Sequence, residues 1–232
     1  MTDQKDQTIY REFEDFIIGK DHPCIMAQSV FLGKHMDFHV YPEFGSRETA
    51  AQMLVDLKKY LDCYDEESDV VFTFIAVFND KRSFSEEEYE QLLWQQLQSI
   101  HEADDRPWDE QVSMDPEAPD FSFSIAGKAF YLVGLHPNSS RKSRQAPYPA
   151  IAFNLHHQFE NLRNKGRYDQ VKERIRERDI ALQGDLNPML QDFNEGSEAR
   201  QYSGRKVGEN WKCPFLHKNL DHVPAEKISE DR

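Results

Sequence analysis

Residues 121–135, FSFSIAGKAFYLVGL, decide the architecture. Two runs of strand composition meet at Ala126-Gly127, the length and chemistry of a two-residue hairpin turn. Downstream, AIAFNL (150–155) reads as a further strand that leads directly into a helix over 156–165 with Gly166 at its stop. A second helix, 167–182, ends at Gly184. Upstream, VVFTFIAVF (70–78) is a continuous apolar run, which predicts a central strand covered on both faces. Met36, Phe38 and Val40 alternate with polar neighbours, the period of a half-buried strand. Three helices separate these segments. One covers 8–18, with Ile9, Phe13, Phe16 and Ile17 on one face and Gly19 after it. The next runs from a Ser46 cap to about Tyr64, with Met53, Leu54, Leu57 and Leu61 inward. The third, YEQLLWQQLQSIHEA, follows a capping box at Ser83/Glu86 or Ser85/Glu88. Pro107, Pro116 and Pro119 mark an acidic loop at 104–120. The expectation is one α+β domain over 1–215, with a mainly antiparallel sheet of four to five strands and helices packed on it, then a polar tail over 216–232.

Composition narrows the class. The chain has 232 residues and 38% apolar content, enough for one core, and carries 42 acidic against 28 basic side chains. A net charge of −14 argues against a general nucleic-acid partner, whose affinity rests on neutralising phosphates. No apolar run approaches the ~20 residues of a membrane helix, so no membrane partner is expected. The opening MTDQKDQTIY lacks the pattern of a secretory signal, and three scattered cysteines (Cys24, Cys63, Cys213) do not make a disulfide framework. A cytoplasmic, reduced protein is expected. The charge is uneven: residues 1–135 hold 28 acids and 11 bases, whereas 136–212 hold 10 acids and 14 bases. Such a division suits a site that joins an anionic cofactor to a cationic substrate, and equally suits solvated surface.

The phosphate-loop, dinucleotide, nucleophile-elbow and zinc-protease signatures are missing, which moves attention to histidine and cysteine. His35, Asp37 and His39 share one side of a strand, the donor set of a non-haem iron triad or simply a solvated face. His136 ends the strand AFYLVGL and is followed by Arg141 and Arg144, a context for an iron ligand, an anion clamp or a fixed turn. Of His156 and His157, His156 is the one opposite Ile151, Phe153 and Leu155, so it is the better candidate to enter a pocket. Cys24, at a helix start, has the setting of a lowered thiol pKa, or of a small residue filling space. In SEARQYSGR (197–205), Arg200 and Arg205 have the spacing to grip carboxylates or to tie down helix ends.

These segments together resemble the YqcI/YcgG family. The likeness is carried by Pro23-Cys24-Ile25-Met26-Ala27, GLHPNSSR (134–141), AFNLHHQFENLR (152–163), RDIALQGDLNPMLQDF (178–193), SEARQYSGR, and Trp211-Lys212-Cys213-Pro214-Phe215. It spans about 20–215. The resemblance implies a haem-dependent N-hydroxylase of guanidino compounds, such as arginine or a cyclic guanidine. It implies haem b and its iron, with dioxygen and an external electron donor (a reductase partner) or peroxide. For the iron, His156 leads, with His136 and Cys24 as alternatives. Arg141, Arg144, Arg200 and Arg205 are candidates for the haem propionates, and Glu160, one helical turn after His156, for the small cationic substrate. A haem-binding or haem-sensing module without turnover, using Cys213-Pro214 or His136, is the competing expectation. Antiparallel pairing of 128–135 with 150–155 would put His136 and His156 at opposite sheet ends, unable to share one haem.

Overall fold

The computed structural model describes residues 4–19, 22–66, 68, 70–190 and 195–218. In chain order the elements are α1 (Gln4–Ile18), α2 (Ile25–Gly33), β1 (Met36–Tyr41), α3 (Arg47–Cys63), β2 (Thr73–Phe78), α4 (Glu86–Ala103), β3 (Phe123–Ile125), β4 (Lys128–Leu135), β5 (Ala150–Leu155), α5 (His156–Asn164), α6 (Tyr168–Gln183) and the single turn α7 (Ala199–Tyr202). One five-stranded sheet has the order β1-β2-β5-β4-β3. β1 and β2 run parallel, and the other three pairings are antiparallel. This is the expected α+β domain with a mostly antiparallel sheet.

The hairpin forms as read. Ala126 (φ 53°) and Gly127 (φ 80°) both take the left-handed region that a two-residue turn of the primed type requires. The acidic loop supplies its clamps: Asp104 accepts from the Ala126 N–H at 2.6 Å, and Asp109 from the Ala129 N–H at 2.9 Å. Ser85, not Ser83, caps α4, with Glu88 completing the box. β2 starts at Thr73 rather than at residue 70. Gln158 takes both main-chain groups of Phe72 at 2.8 Å, and Tyr60 also donates to its carbonyl, so the ladder cannot begin earlier.

Side-chain alternation sorts the sheet into two faces. Phe74, Phe78, Phe130, Leu132, Ile151 and Phe153 pack against α3 and α4 in the main core. Ile75, Val77, Leu135 and Ala150 face the other way, onto Ile9, Phe13, Ile17 and Phe31 of α1 and α2. Gly134 permits the close approach of α4 and α7 to β4. A Cβ there would lie 2.6 Å from the Tyr202 carbonyl and 2.8 Å from Tyr89 Oη, which itself donates to the Ala150 carbonyl. Gly134→Ala is therefore expected to cost about 1–3 kcal/mol in a urea unfolding titration. A change below about 0.5 kcal/mol, the usual range of a surface substitution, would show that this approach is not tight.

The expected boundary at 215 falls inside a docked stretch. Gln98 pairs with both main-chain groups of Leu216, and the His217 ring stands 4.6 Å from that of His101. Residues 219–232 of the expected tail lie outside the described residues. Among the described residues no helix is long and apolar enough to cross a membrane.

Candidate functional site

The second face of the sheet is not fully covered. Small side chains at Ala152 and Val133 leave a cleft bounded by α1, α2 and α6, with two lobes of about 280 Å³ and 160 Å³. Met26, Tyr131, Phe159, Ile175, Arg176 and Leu190 line both lobes, so the two share a wall. The basic segment after residue 136 supplies much of the rim, through Arg144, Arg163, Lys172 and Arg176.

The large lobe is lined mainly by Phe13, Ile17, Val30, Phe31, Ile75 and Leu135, with a polar group at one end. His22 is 7% exposed, and burial lowers its pKa to about 4, so it is a neutral imidazole at pH 7. The carbonyls of Ser143 and Cys24 stand beside the ring as acceptors; a neutral imidazole has one N–H to give them, so its other nitrogen is left without a donor among the described residues. Leaving a buried polar atom unmet costs on the order of 1–3 kcal/mol, so a ligand that engaged this nitrogen would recover part of that cost. Asp179, also in the lobe, has one oxygen on Arg141 and the other, Oδ1, buried and unmet. Arg144 is 7% exposed and donates to the main-chain carbonyls of Gly134 (2.9 Å), Tyr202 and Gln201 (both 3.4 Å). Neither buried Arg144 nor half-buried Arg176 has a carboxylate partner among the described residues, so both retain a positive charge that an anionic ligand could meet.

Cys24 lines the same lobe, but its thiol departs from the expectation of a lowered pKa. Burial raises it, outweighing the N–H groups of Ala27 and Met26. Its Sγ accepts from the Ala27 N–H at 3.4 Å and so caps α2. A thiolate is disfavoured here.

The small lobe holds His156 and Glu198. His156 is 6% exposed at the junction of β5 and α5, and burial keeps its ring neutral, with Nε2 3.4 Å from Glu160. Glu198 is 5% exposed, and burial raises its carboxyl to about 7. Ser122 Oγ (3.0 Å) and Tyr202 Oη (3.3 Å) both donate to its Oε2.

The remaining expected site residues are placed elsewhere. His136 stacks on Tyr89 at 4.3 Å and 14°, and its main-chain N–H bonds to Arg144, so its ring is packed against α4 and lines neither lobe. With β4 and β5 antiparallel, Leu135 sits opposite Ala150 and Phe130 opposite Leu155, so His136 and His156 do lie at opposite sheet ends. Arg141 is occupied by Asp179 at 2.5 Å and by Asp185. Arg205 grips a carboxylate pair, as its spacing allowed, but the pair is the protein's own Glu90 and Glu87. Arg200 donates to the carbonyls of Gly208 (2.5 Å) and Trp211 (3.4 Å). These three arginines therefore hold the fold and do not line the cleft. Glu160 is bound to Arg163 and lines neither lobe, although it shares the helix face of His156 as expected. His39 contacts Asp37 at 2.9 Å and stacks on Phe74, and among the described residues no three histidine, cysteine or acidic side chains converge as a metal cluster. Cys213 packs against the main core.

His22, Asp179, Arg176 and Glu198 escaped the sequence reading. His22 stands two residues before Cys24 in His-Pro-Cys, where the cysteine drew the attention. Asp179 and Arg176 lie in α6, where bases and acids alternate from Lys172 to Asp179 in the manner of a solvated face, yet Asp179 is 5% exposed. The usable signal was the family-like segments: residues from 23–27, 152–163, 178–193 and 197–205 line this one cleft, with His22 just before the first and Arg176 just before the third.

Comparison with known proteins bears on this constellation. The sequence model of the YqcI/YcgG family matches residues 13–216. An uncharacterized protein YcgG of Bacillus subtilis (strain 168) is 24% identical over 209 residues, covering 85% of this chain and 82% of the relative. An uncharacterized protein YqcI of the same organism is 25% identical over 208 residues, covering 87% of this chain and 78% of the relative. No solved structure matches.

Proposed function

This chain belongs to the YqcI/YcgG family, and from that premise and the cleft we propose that it is a haem-dependent N-hydroxylase of a guanidino substrate, arginine or a cyclic guanidine among them. One observation carries the reading: the larger, mostly apolar lobe contains a buried neutral imidazole, His22, with a ring nitrogen that no donor among the described residues meets. An iron porphyrin needs one axial donor, an apolar slot and cations for its carboxylates, and the residues fit those needs. His22 is the donor in this reading, ahead of His156, because His156 lines the smaller lobe and not the slot. Arg144 and Arg176 are the cations for the propionates, and Phe13, Ile17, Phe31, Ile75 and Leu135 form the slot wall.

When bound, the haem supplies the activation of dioxygen or peroxide that transfers an oxygen atom to a substrate nitrogen, with electrons from a reductase where dioxygen is used. The chain's own contribution is placement. The strand-borne wall excludes water, and the wall shared with the small lobe sets a second ligand beside the first. A cytoplasmic setting agrees with three free cysteines and a soluble reductase.

The test is optical. Hemin titrated into the purified protein is expected to give a saturable Soret band, which shifts with carbon monoxide after reduction to a position typical of imidazole ligation. Arginine or a cyclic guanidine with a reductase should then yield a hydroxyguanidine detectable by mass. A preparation that stays without a band at saturating hemin would end the proposal, and a band without product would leave only a haem-binding module.

A further inference from the structure

We propose that Glu198 holds the cationic guanidinium of the substrate in the small lobe, beside the rings of Tyr131 and Phe159; the inference rests on the reading above and assigns its substrate subsite. Glu198 Oε2 is fixed by Ser122 and Tyr202, and no donor among the described residues takes Oε1. The carboxylate thus enters the lobe held on one side and open on the other, the arrangement that binds a planar donor fork with a defined direction.

The charges around it leave it available. Arg163, also in the lobe wall, is paired with Glu160, and Lys172 is paired with Asp169 at 3.2 Å. The remaining lobe cation, Arg176, is the one the haem reading commits to a propionate. Arg163 acts on Glu198 through space, but no cation among the described residues forms an ion pair with it. Burial lifts the Glu198 carboxyl to about 7, so it is only partly ionised at pH 7, and a cation bound there shifts it toward the carboxylate at some cost in affinity.

The wall offers aromatic faces to a cation, and the fork of a guanidinium matches a carboxylate. Tyr131 and Phe159 meet edge to face at 5.6 Å, and Tyr168 completes the aromatic lining. The Tyr168 ring already carries the Arg163 guanidinium at 4.2 Å and the Lys172 ammonium at 5.3 Å, so this wall accepts cations on its aromatic faces. Gln201 closes the lobe next to Tyr131, whose hydroxyl donates to it at 3.2 Å.

Calorimetric binding of arginine and of citrulline, its uncharged urea counterpart, tests the subsite on the protein with and without hemin. Wild-type protein should bind arginine at least about tenfold more tightly than citrulline. Glu198→Gln should weaken arginine about 10- to 100-fold, leave citrulline nearly unchanged, and leave the hemin titration unaltered. Equal wild-type affinity for the two ligands would overturn the subsite without any variant being needed, as would full retention of arginine binding by a folded Glu198→Gln. The two proposals separate cleanly. Arginine binding that depends on Glu198 in a protein that takes up no hemin keeps the subsite and removes the haem reading. Hemin uptake without arginine selectivity does the reverse.

Discussion

His22→Ala is expected to abolish tight hemin uptake while the apoprotein stays folded. The polar neighbours of the ring are the carbonyls of Ser143 and Cys24, and a neutral imidazole has one N–H to give, so the truncation removes at most one hydrogen bond. What else it loses is packing, chiefly the edge-to-face contact with Phe16 at 5.2 Å, worth about 1 kcal/mol beyond the buried area. Losing the axial donor should weaken hemin by well over the ~10–100-fold that removal of a residue merely orienting a ligand costs. His156→Ala and Cys24→Ser should keep the Soret band, because one lines the other lobe and the other presents a thiol raised by burial. Millimolar imidazole added to His22→Ala should restore the band by filling the space of the missing ring. If His156→Ala is the variant that loses the band, the donor assignment moves to His156, and His22 becomes part of the wall.

Arg141→Leu carries the largest expected cost in stability. Arg141 and Asp179 are each nearly enclosed, with side chains 8% and 7% exposed, and their contact is 2.5 Å. Removing the guanidinium strands a carboxylate in an apolar lobe where its other oxygen already lacks a partner. Breaking such a pair from one side costs about 3–5 kcal/mol. The Asp185 contact adds little to that sum, since its side chain is 72% exposed and screened by water. The double variant Arg141→Leu/Asp179→Leu should recover much of the loss, because it removes the stranded charge with its partner. Denaturant unfolding of the three proteins reads both effects. A loss below about 1 kcal/mol for Arg141→Leu, the range of a surface ion pair, would show that water reaches Asp179 freely.

Most of the fold was legible because its signals are local. The hairpin at Ala126-Gly127, the Ser46 and Ser85 caps and the Gly184 stop are each decided by a few neighbouring residues. The parallel pairing of β1 with β2 was not legible, since strand direction at a sheet edge is set by the α3 crossover and by nothing in Met36–Tyr41 itself. The site was legible only in outline. His156 was placed correctly on the second face by strand parity, whereas Arg141, Arg144, Arg200 and Arg205 look alike in sequence. What distinguishes them is which acid or carbonyl the fold brings to each: Asp179 and Asp185 to Arg141, Glu90 to Arg205, and only carbonyls to Arg144. That selection depends on long-range packing, which no window of sequence contains.

Tyr131, Phe159 and Ile175 have one surface toward each lobe, and this common partition has a thermodynamic corollary. Any shift that one guest imposes on those three side chains alters the affinity of the other. By reciprocity the factor is the same in both directions. Protein already loaded on one side then discriminates among guests for the other in a way that the empty protein does not.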